Sequence, residues 1–202
     1  MLMGFNVTME KLNRQDLYTL EKYAQTRRDF REQVMQHKQD RRIEIGRHIT
    51  LYFEDKITIQ YQIQEMLRVE KIFEPEGIQE ELDAYNPLIP DGTNLKATMM
   101  IEYEDPEERA VRLAEMVGIE NRLWLKVDGL DRVAPVADED LERATESKTS
   151  AVHFLRFEFS AEMITALREG AALSAGVEHQ AYSAVVDPVP ENIRRSLIKD
   201  FD

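Results

Sequence analysis

No cysteine occurs among the 202 residues. Its absence excludes disulfides, thiolate metal sites, cysteine nucleophiles and any iron–sulfur cluster held by the chain's own side chains. A sequence without a disulfide framework fits a reducing compartment, and we expect it in the cytoplasm. Long apolar runs are missing as well: none approaches the roughly 20 residues needed to span a bilayer, so no membrane partner is expected. The opening MLMGFNVTM has neither the basic region nor the small-residue cleavage site of a signal peptide. Residues 1–8 read as a disordered leader, and 9–202 as a single α+β domain. Phosphate cradles of the GxxxxGKS/T or GxGxxG kind are absent, as are HExxH, ExxH and GxSxG settings. No nucleotide-binding motif and no nucleophilic hydrolase signature therefore exists. Positive charge is scarce too. At a net charge of −13 and a pI near 4.9, the chain is a poor partner for nucleic acid, whose binding rests on neutralising phosphates.

The charge that is present is uneven. Residues 22–47 hold eight Lys or Arg against four Asp or Glu. Such a segment is either a solvated helix lying on an acidic body or a docking surface. Asn13 with Asp16 three residues on is a capping pair, and the periodicity predicts a long N-terminal helix running to about Asp40. RHITLYF and KITIQYQI alternate, and predict a β-hairpin about Glu54 and Asp55. A helix is then expected over Ile63 to Phe73, stopping before Pro75, and another over Gly77 to Tyr85. NLKATMMIEY reads as a strand. DPEERAVRLAEMVG reads as a helix with Asp105 as cap and Gly118 as stop. RLWLKV and RVAPVA read as strands about Asp128 and Gly129, AVHFLRFEF as a strong strand, and AYSAVV as a last one. Residues 138–150, acidic and polar, read as a loop or a short exposed helix, and as a candidate flexible lid. AEMITALRE and PENIRRSLIKDF complete the expected helices. Without a βαβ rhythm, the fold class is α+β, with a mainly antiparallel sheet packed against several helices.

Candidate chemistry centres on two carboxylates. With Ile63 at the origin of a 100° wheel, Glu70 falls at about 340° and Glu65 near 200°. Both sit inside an apolar sector with Met66, Val69, Ile72 and Phe73. An unpaired buried carboxylate is costly, so each must meet a cation or a metal, or take up a proton. Arg68, at i+3, is a local partner for Glu65. Glu70 has no such neighbour, so its partner must come from elsewhere, either as a structural ion pair or within a pocket. Arg156 is a natural counter-ion, on a strand whose other face carries His153 with Leu155 and Phe157. Glu102 alternates away from Met99 and Ile101 and joins the same polar set. His48, Glu65, Glu70, Glu102 and His153 are ligand types suited to iron, manganese or zinc, but without a local metal spacing. His179 falls in an expected loop.

The strings LYFEDKITIQYQIQEMLRVEKIFE, IQEELDAYNPLIPDGTNLKATMMIE, DEDLERATESKTSAVHFLRFEF and GAALSAGVEHQAY resemble a bacterial family catalogued as a domain of unknown function. The resemblance runs from Met9 to about Tyr182. It implies a soluble single-domain protein and assigns no catalytic residues. Genes of that family often lie near rubrerythrin-like and iron–sulfur oxidoreductase genes, which implies a redox or oxidative-stress setting. Two functions are thus expected as alternatives. In one, a small molecule or metal binds a pocket between the 63–73 helix and the sheet, built from Glu65, Arg68, Glu70, Glu102, His153, Arg156 and His48. In the other, an accessory protein without chemistry of its own docks a redox partner through the basic segment or the polar hairpin face. Neither a specific cofactor nor an oligomeric state follows from the sequence.

Overall fold

Asn13 and Asp16 cap each other reciprocally, but around a 3₁₀ turn, Arg14–Asp16. The long helix, α1 (Leu20–Gln39), starts afresh, with the Thr19 side chain accepting from the Lys22 N–H. This computed structural model describes residues 10–145 and 147–202; the expected leader lies outside them. Strands β1 (Arg42–Ile45) and β2 (Ile49–Phe53) follow, paired antiparallel about Gly46. β2 is the predicted first arm, but its hairpin partner precedes it. KITIQYQI is not a strand; it belongs to helix α2 (Lys56–Val69).

The cause of that correction is local. Asp55 accepts from the N–H groups of Ile57 and Thr58, and Thr58 Oγ1 accepts from the Asp55 N–H. With both orphan ends satisfied, the chain enters a helix where a hairpin turn was expected. The buried residues Ile59, Ile63 and Leu67 then fall at i, i+4 and i+8, a helical stripe hidden within an alternating one. α2 ends at Glu70, well before Pro75, because Lys71 takes a left-handed backbone (φ +56°) and the Ile72 N–H returns to the Leu67 carbonyl at 2.9 Å.

Helix α3 (Pro75–Tyr85) opens with proline in its first turn and leads through a 3₁₀ turn, Asn86–Leu88, into β3 (Asn94–Ile101). Asp105 caps α4 (Pro106–Glu115) through the Glu108 N–H at 2.7 Å. Strand β4 (Leu123–Val127) comes next. RVAPVA is divided: β5 (Arg132–Val133) joins one sheet, and β6 (Pro135–Ala137) the other. Then come β7 (Val152–Glu158), α5 (Ala161–Arg168), β8 (Leu173–His179), β9 (Tyr182–Val186) and α6 (Glu191–Leu197). His179 thus ends a strand and does not lie in a loop.

One sheet has the order β1-β2-β3-β7-β6 and the other β5-β4-β8-β9, each antiparallel between neighbours. The fold is α+β. Inner-face residues such as Leu51, Ala97 and Leu155 share one core with Leu125, Ala175 and Val177 of the second sheet. Each large aliphatic side chain buried there is worth about 1.5–3 kcal/mol. A smaller core, with Ile59, Ile63, Leu67, Leu82 and Ile89, holds the α2–α3 layer together. At the junction of the sheets the Tyr182 hydroxyl donates to the Ile45 carbonyl (2.8 Å) and accepts from the His48 N–H (3.1 Å). Gly176 is required where Trp124 crosses β8, because a Cβ there would collide with the indole ring. Among the described residues no helix is long and apolar enough to cross a membrane.

Candidate functional site

Register decides which side chains meet on the outer face of the five-stranded sheet. β3 and β7 pair Lys96 with Arg156 and Thr98 with Phe154. Alternation sends Leu95, Ala97, Leu155 and Phe157 inward, so Lys96, Phe154 and Arg156 face outward together. Met66 of α2, Ala84 and Tyr85 of α3, and Leu88 stand opposite. Between the two layers lies a cleft of about 640 Å³, lined also by Glu139 and Asp140 after β6. Its size is that of a small-molecule site.

The cleft's charges are mostly spoken for. Arg156 grips Glu139 with Nε and Nη2, both at 2.9 Å, and gives Nη1 to Glu158 at 2.7 Å. Arg143 holds Asp140 at 2.5 and 2.7 Å and lies 4.5 Å over the Phe154 ring. Lys96 differs. It is half-buried, its Nζ donates to the Pro87 carbonyl at 2.5 Å, and it forms no ion pair among the described residues. Burial first, and the neighbouring Arg156 as well, push its ammonium below the ordinary lysine range, with Asp91 and nearby glutamates pulling the other way.

The residues expected to form one pocket are distributed over five places. Arg156 lines the cleft. Glu65 lies on the α1 side of α2, where it accepts from the Tyr23 hydroxyl (2.7 Å), Arg27 Nε and Nη2 (2.7 and 2.9 Å) and Arg68 Nη2 (3.1 Å). The Arg27 bonds above all, with those of Tyr23 and Arg68, hold its carboxyl at about 2 against the desolvation that opposes them. Arg68, the local partner expected for Glu65, does reach it, and a second cation, Arg27, comes from α1, so the ion pair also joins two helices. Glu70 is exposed at the end of α2, which corrects its assignment to an apolar sector. The wheel failed because the helix stops at Val69, and because Val69 and Phe73 are themselves 57% and 67% exposed.

His48 and Glu102 do come together, at the far end of the sheets. His48 Nδ1 lies 3.0 Å from the Glu102 carbonyl and the ring stacks on Tyr103 at 4.0 Å, while Glu102 accepts from the Thr50 hydroxyl at 2.8 Å. They border a separate polar hollow with Arg47 and Arg109. His153 points into the core, fully buried. Its Nδ1 lies 2.6 Å from Asp138, and its Nε2 lies 2.8 Å from the Thr149 hydroxyl and 3.1 Å from the Ser150 carbonyl. That order of acid, imidazole and hydroxyl resembles a hydrolytic triad, but Thr149 is buried and none of the three lines the cleft. Asp138 also accepts from the Phe154 N–H at 3.0 Å. The group ties to β7 the segment that carries the cleft-lining Glu139 and Asp140. Among the described residues no three His, Asp or Glu side chains are arranged to hold a metal ion.

Sequence reasoning missed Lys96, although alternation in NLKATMMIE already sets it opposite Leu95 and Ala97. It also missed a buried cluster around Arg41, which donates to the Phe53 carbonyl (3.0 Å), the Glu54 carbonyl (3.1 Å) and Asp200. Asp55 Oδ2 lies 3.4 Å from the same guanidinium. Burial pushes the Asp200 carboxyl up to about 6, more than Arg41 pulls it down. Burial also opposes ionisation of Asp55, but Arg41, the Thr58 N–H and His37 together outweigh it and hold that carboxyl low.

The architecture recurs in a crystal structure from Burkholderia pseudomallei K96243, titled as a novel protein of unknown function. It is 51% identical, superposes with a TM-score of 0.91, and the match covers 96% of this chain and 100% of that one. No curated protein matches the sequence. The family described as "Protein of unknown function (DUF3501)" matches residues 11–201, and the chain belongs to that family.

Proposed function

We propose that the protein binds a small molecule in the cleft between the α2–α3 layer and the outer face of the five-stranded sheet. One observation carries this reading. Side chains that could close the cleft by packing, among them Met66, Tyr85, Leu88 and Phe154, instead line a space of about 640 Å³ around a half-buried lysine. Apolar walls with a few placed polar groups are the usual composition of a ligand site. The ion pairs of Arg156 and Arg143 hold the walls in place, so the site is preformed.

A neutral apolar dye, N-phenyl-1-naphthylamine, tests the reading by its fluorescence on transfer out of water. The wild type is expected to bind it, and Ala84→Trp, which fills the cleft from the exposed face of α3, is expected to abolish binding while retaining a cooperative thermal transition. Equal binding by both proteins, or none by the wild type, refutes the reading.

A second reading, an accessory protein for a redox partner, draws on the ridge of α1. Arg27 is engaged by Glu65, but the Arg28 side chain is 93% exposed and Arg31 is exposed beside it. Salt-sensitive co-elution with a purified iron–sulfur oxidoreductase, lost in an Arg28→Glu, Arg31→Glu double variant, supports this reading. Co-elution that survives the double variant counts against it.

A further inference from the structure

We infer that the cleft takes an amphipathic anion: an apolar body lying against Phe154, with an acidic head group at Lys96 Nζ. This rests on the reading of the cleft as a ligand site and adds the chemistry of the ligand. The reason lies in the β3–β7 register, which sets Lys96 directly beside Arg156. Like charges placed opposite each other across two strands repel. For Arg156 the repulsion is offset, because two glutamates take up its Nε, Nη1 and Nη2 donors.

Lys96 has no carboxylate at ion-pair distance among the described residues, and Asp91 and the same two glutamates act on it only from further away. An ammonium has three donors, and the Pro87 carbonyl occupies one. Its other donors are unclaimed among the described residues, on a side chain that lines a mostly apolar cleft, a setting that favours an anion within reach. Burial first, and the adjacent guanidinium, lower its basicity against the opposing pull of Asp91, and a bound anion would act in the same direction as Asp91. The opposing wall carries two carboxylates on α3: Glu81, half-buried, whose carboxyl burial pushes up, and Asp83. Asp83 is exposed and already accepts the Gln79 amide at 2.7 Å. Glu139 and Asp140 are held by Arg156 and Arg143. Lys96 is therefore the cleft's unpaired charge on the sheet floor, and the complement of an apolar cleft with one cation at its base is a molecule with an apolar body and one acid.

Three ten-carbon probes separate the possibilities by displacing N-phenyl-1-naphthylamine: decanoate, decanol and decylammonium. Decanoate is expected to displace the dye at roughly one-tenth the concentration that decanol requires, the factor supplied by one good charged contact. Decylammonium should need more than decanol. Within Lys96→Met the gap between decanoate and decanol should close, and within Lys96→Arg part of it should return. The inference is overturned if decanoate and decanol compete equally, if decylammonium competes best, or if Lys96→Met keeps the gap. A dye that binds and is lost in Ala84→Trp, but is displaced without preference for the acid, removes only the charge assignment. A wild type that does not bind the dye removes the cleft reading and this inference with it.

Discussion

Replacing Glu65 by glutamine asks whether that carboxylate is a structural tie between α1 and α2. Four donors converge on it: the Tyr23 hydroxyl, two nitrogens of Arg27 and one of Arg68. In Glu65→Gln the amide oxygen can still accept from Tyr23, but the amide nitrogen faces donors and the arginines lose their counter-ion. Both arginine side chains reach solvent and rehydrate, so the loss is concentrated at the buried Tyr23 contact. A hydrogen bond to a charged group is worth about 1.5–3 kcal/mol and a neutral one about 0.5–1.5, so the expected destabilisation is about 1–2 kcal/mol. Because the folded carboxyl sits at about 2 and its ordinary value is 4.5, the stability it supplies is present above pH 4.5 and lost as pH falls through 2. Urea denaturation of both proteins at pH 7 and pH 3 checks this, with the gap between them shrinking by roughly half at the lower pH. Equal midpoints at pH 7, or a gap that widens on acidification, would refute the reasoning. Glu70→Gln is the control: an exposed carboxylate should shift stability by less than about 0.5 kcal/mol.

Other changes probe other parts of the fold. The Asp200 carboxyl carbon should titrate near pH 6 by NMR; its contribution to stability is present below about pH 4 and lost as pH rises through 6, and a midpoint below 4 would contradict the effect of burial. Lys71→Gly should stabilise by about 0.5–1 kcal/mol in urea, since glycine adopts the left-handed turn after α2 without strain; no gain would mean the turn carries none. His153→Phe should cost about 2–4 kcal/mol in thermal unfolding, because Asp138 and Thr149 lose their shared partner inside the core. It should also raise amide exchange in the 138–143 segment.

How much of this was legible depended on the range of the cause. Asp105 and Gly118 punctuate α4 within a few residues, and the strand at Val152–Glu158 alternates without interruption, so both could be read directly. The same alternation misled at residues 56–62. Ile57, Ile59 and Tyr61 satisfy a period of two, but the Asp55 cap and the stripe of Ile59, Ile63 and Leu67 prevailed. β8 escaped notice because Ser174, Ala175 and Gly176 have little strand propensity; they are buried by the sheet around them. For the site, the face carrying Arg156 was legible and its neighbours were not. That Lys96 stands beside it depends on a pairing 60 positions apart, and a single sequence carries no sign of register.

Arg41 meets its carboxylate 159 positions later in the chain. On the ribosome, the guanidinium therefore emerges long before Asp200, and while it waits only backbone carbonyls and Asp55 can hold it. Until the final stretch arrives, the junction of α1, β1 and the start of α2 has one carboxylate, Asp55, to compensate the charge at its centre.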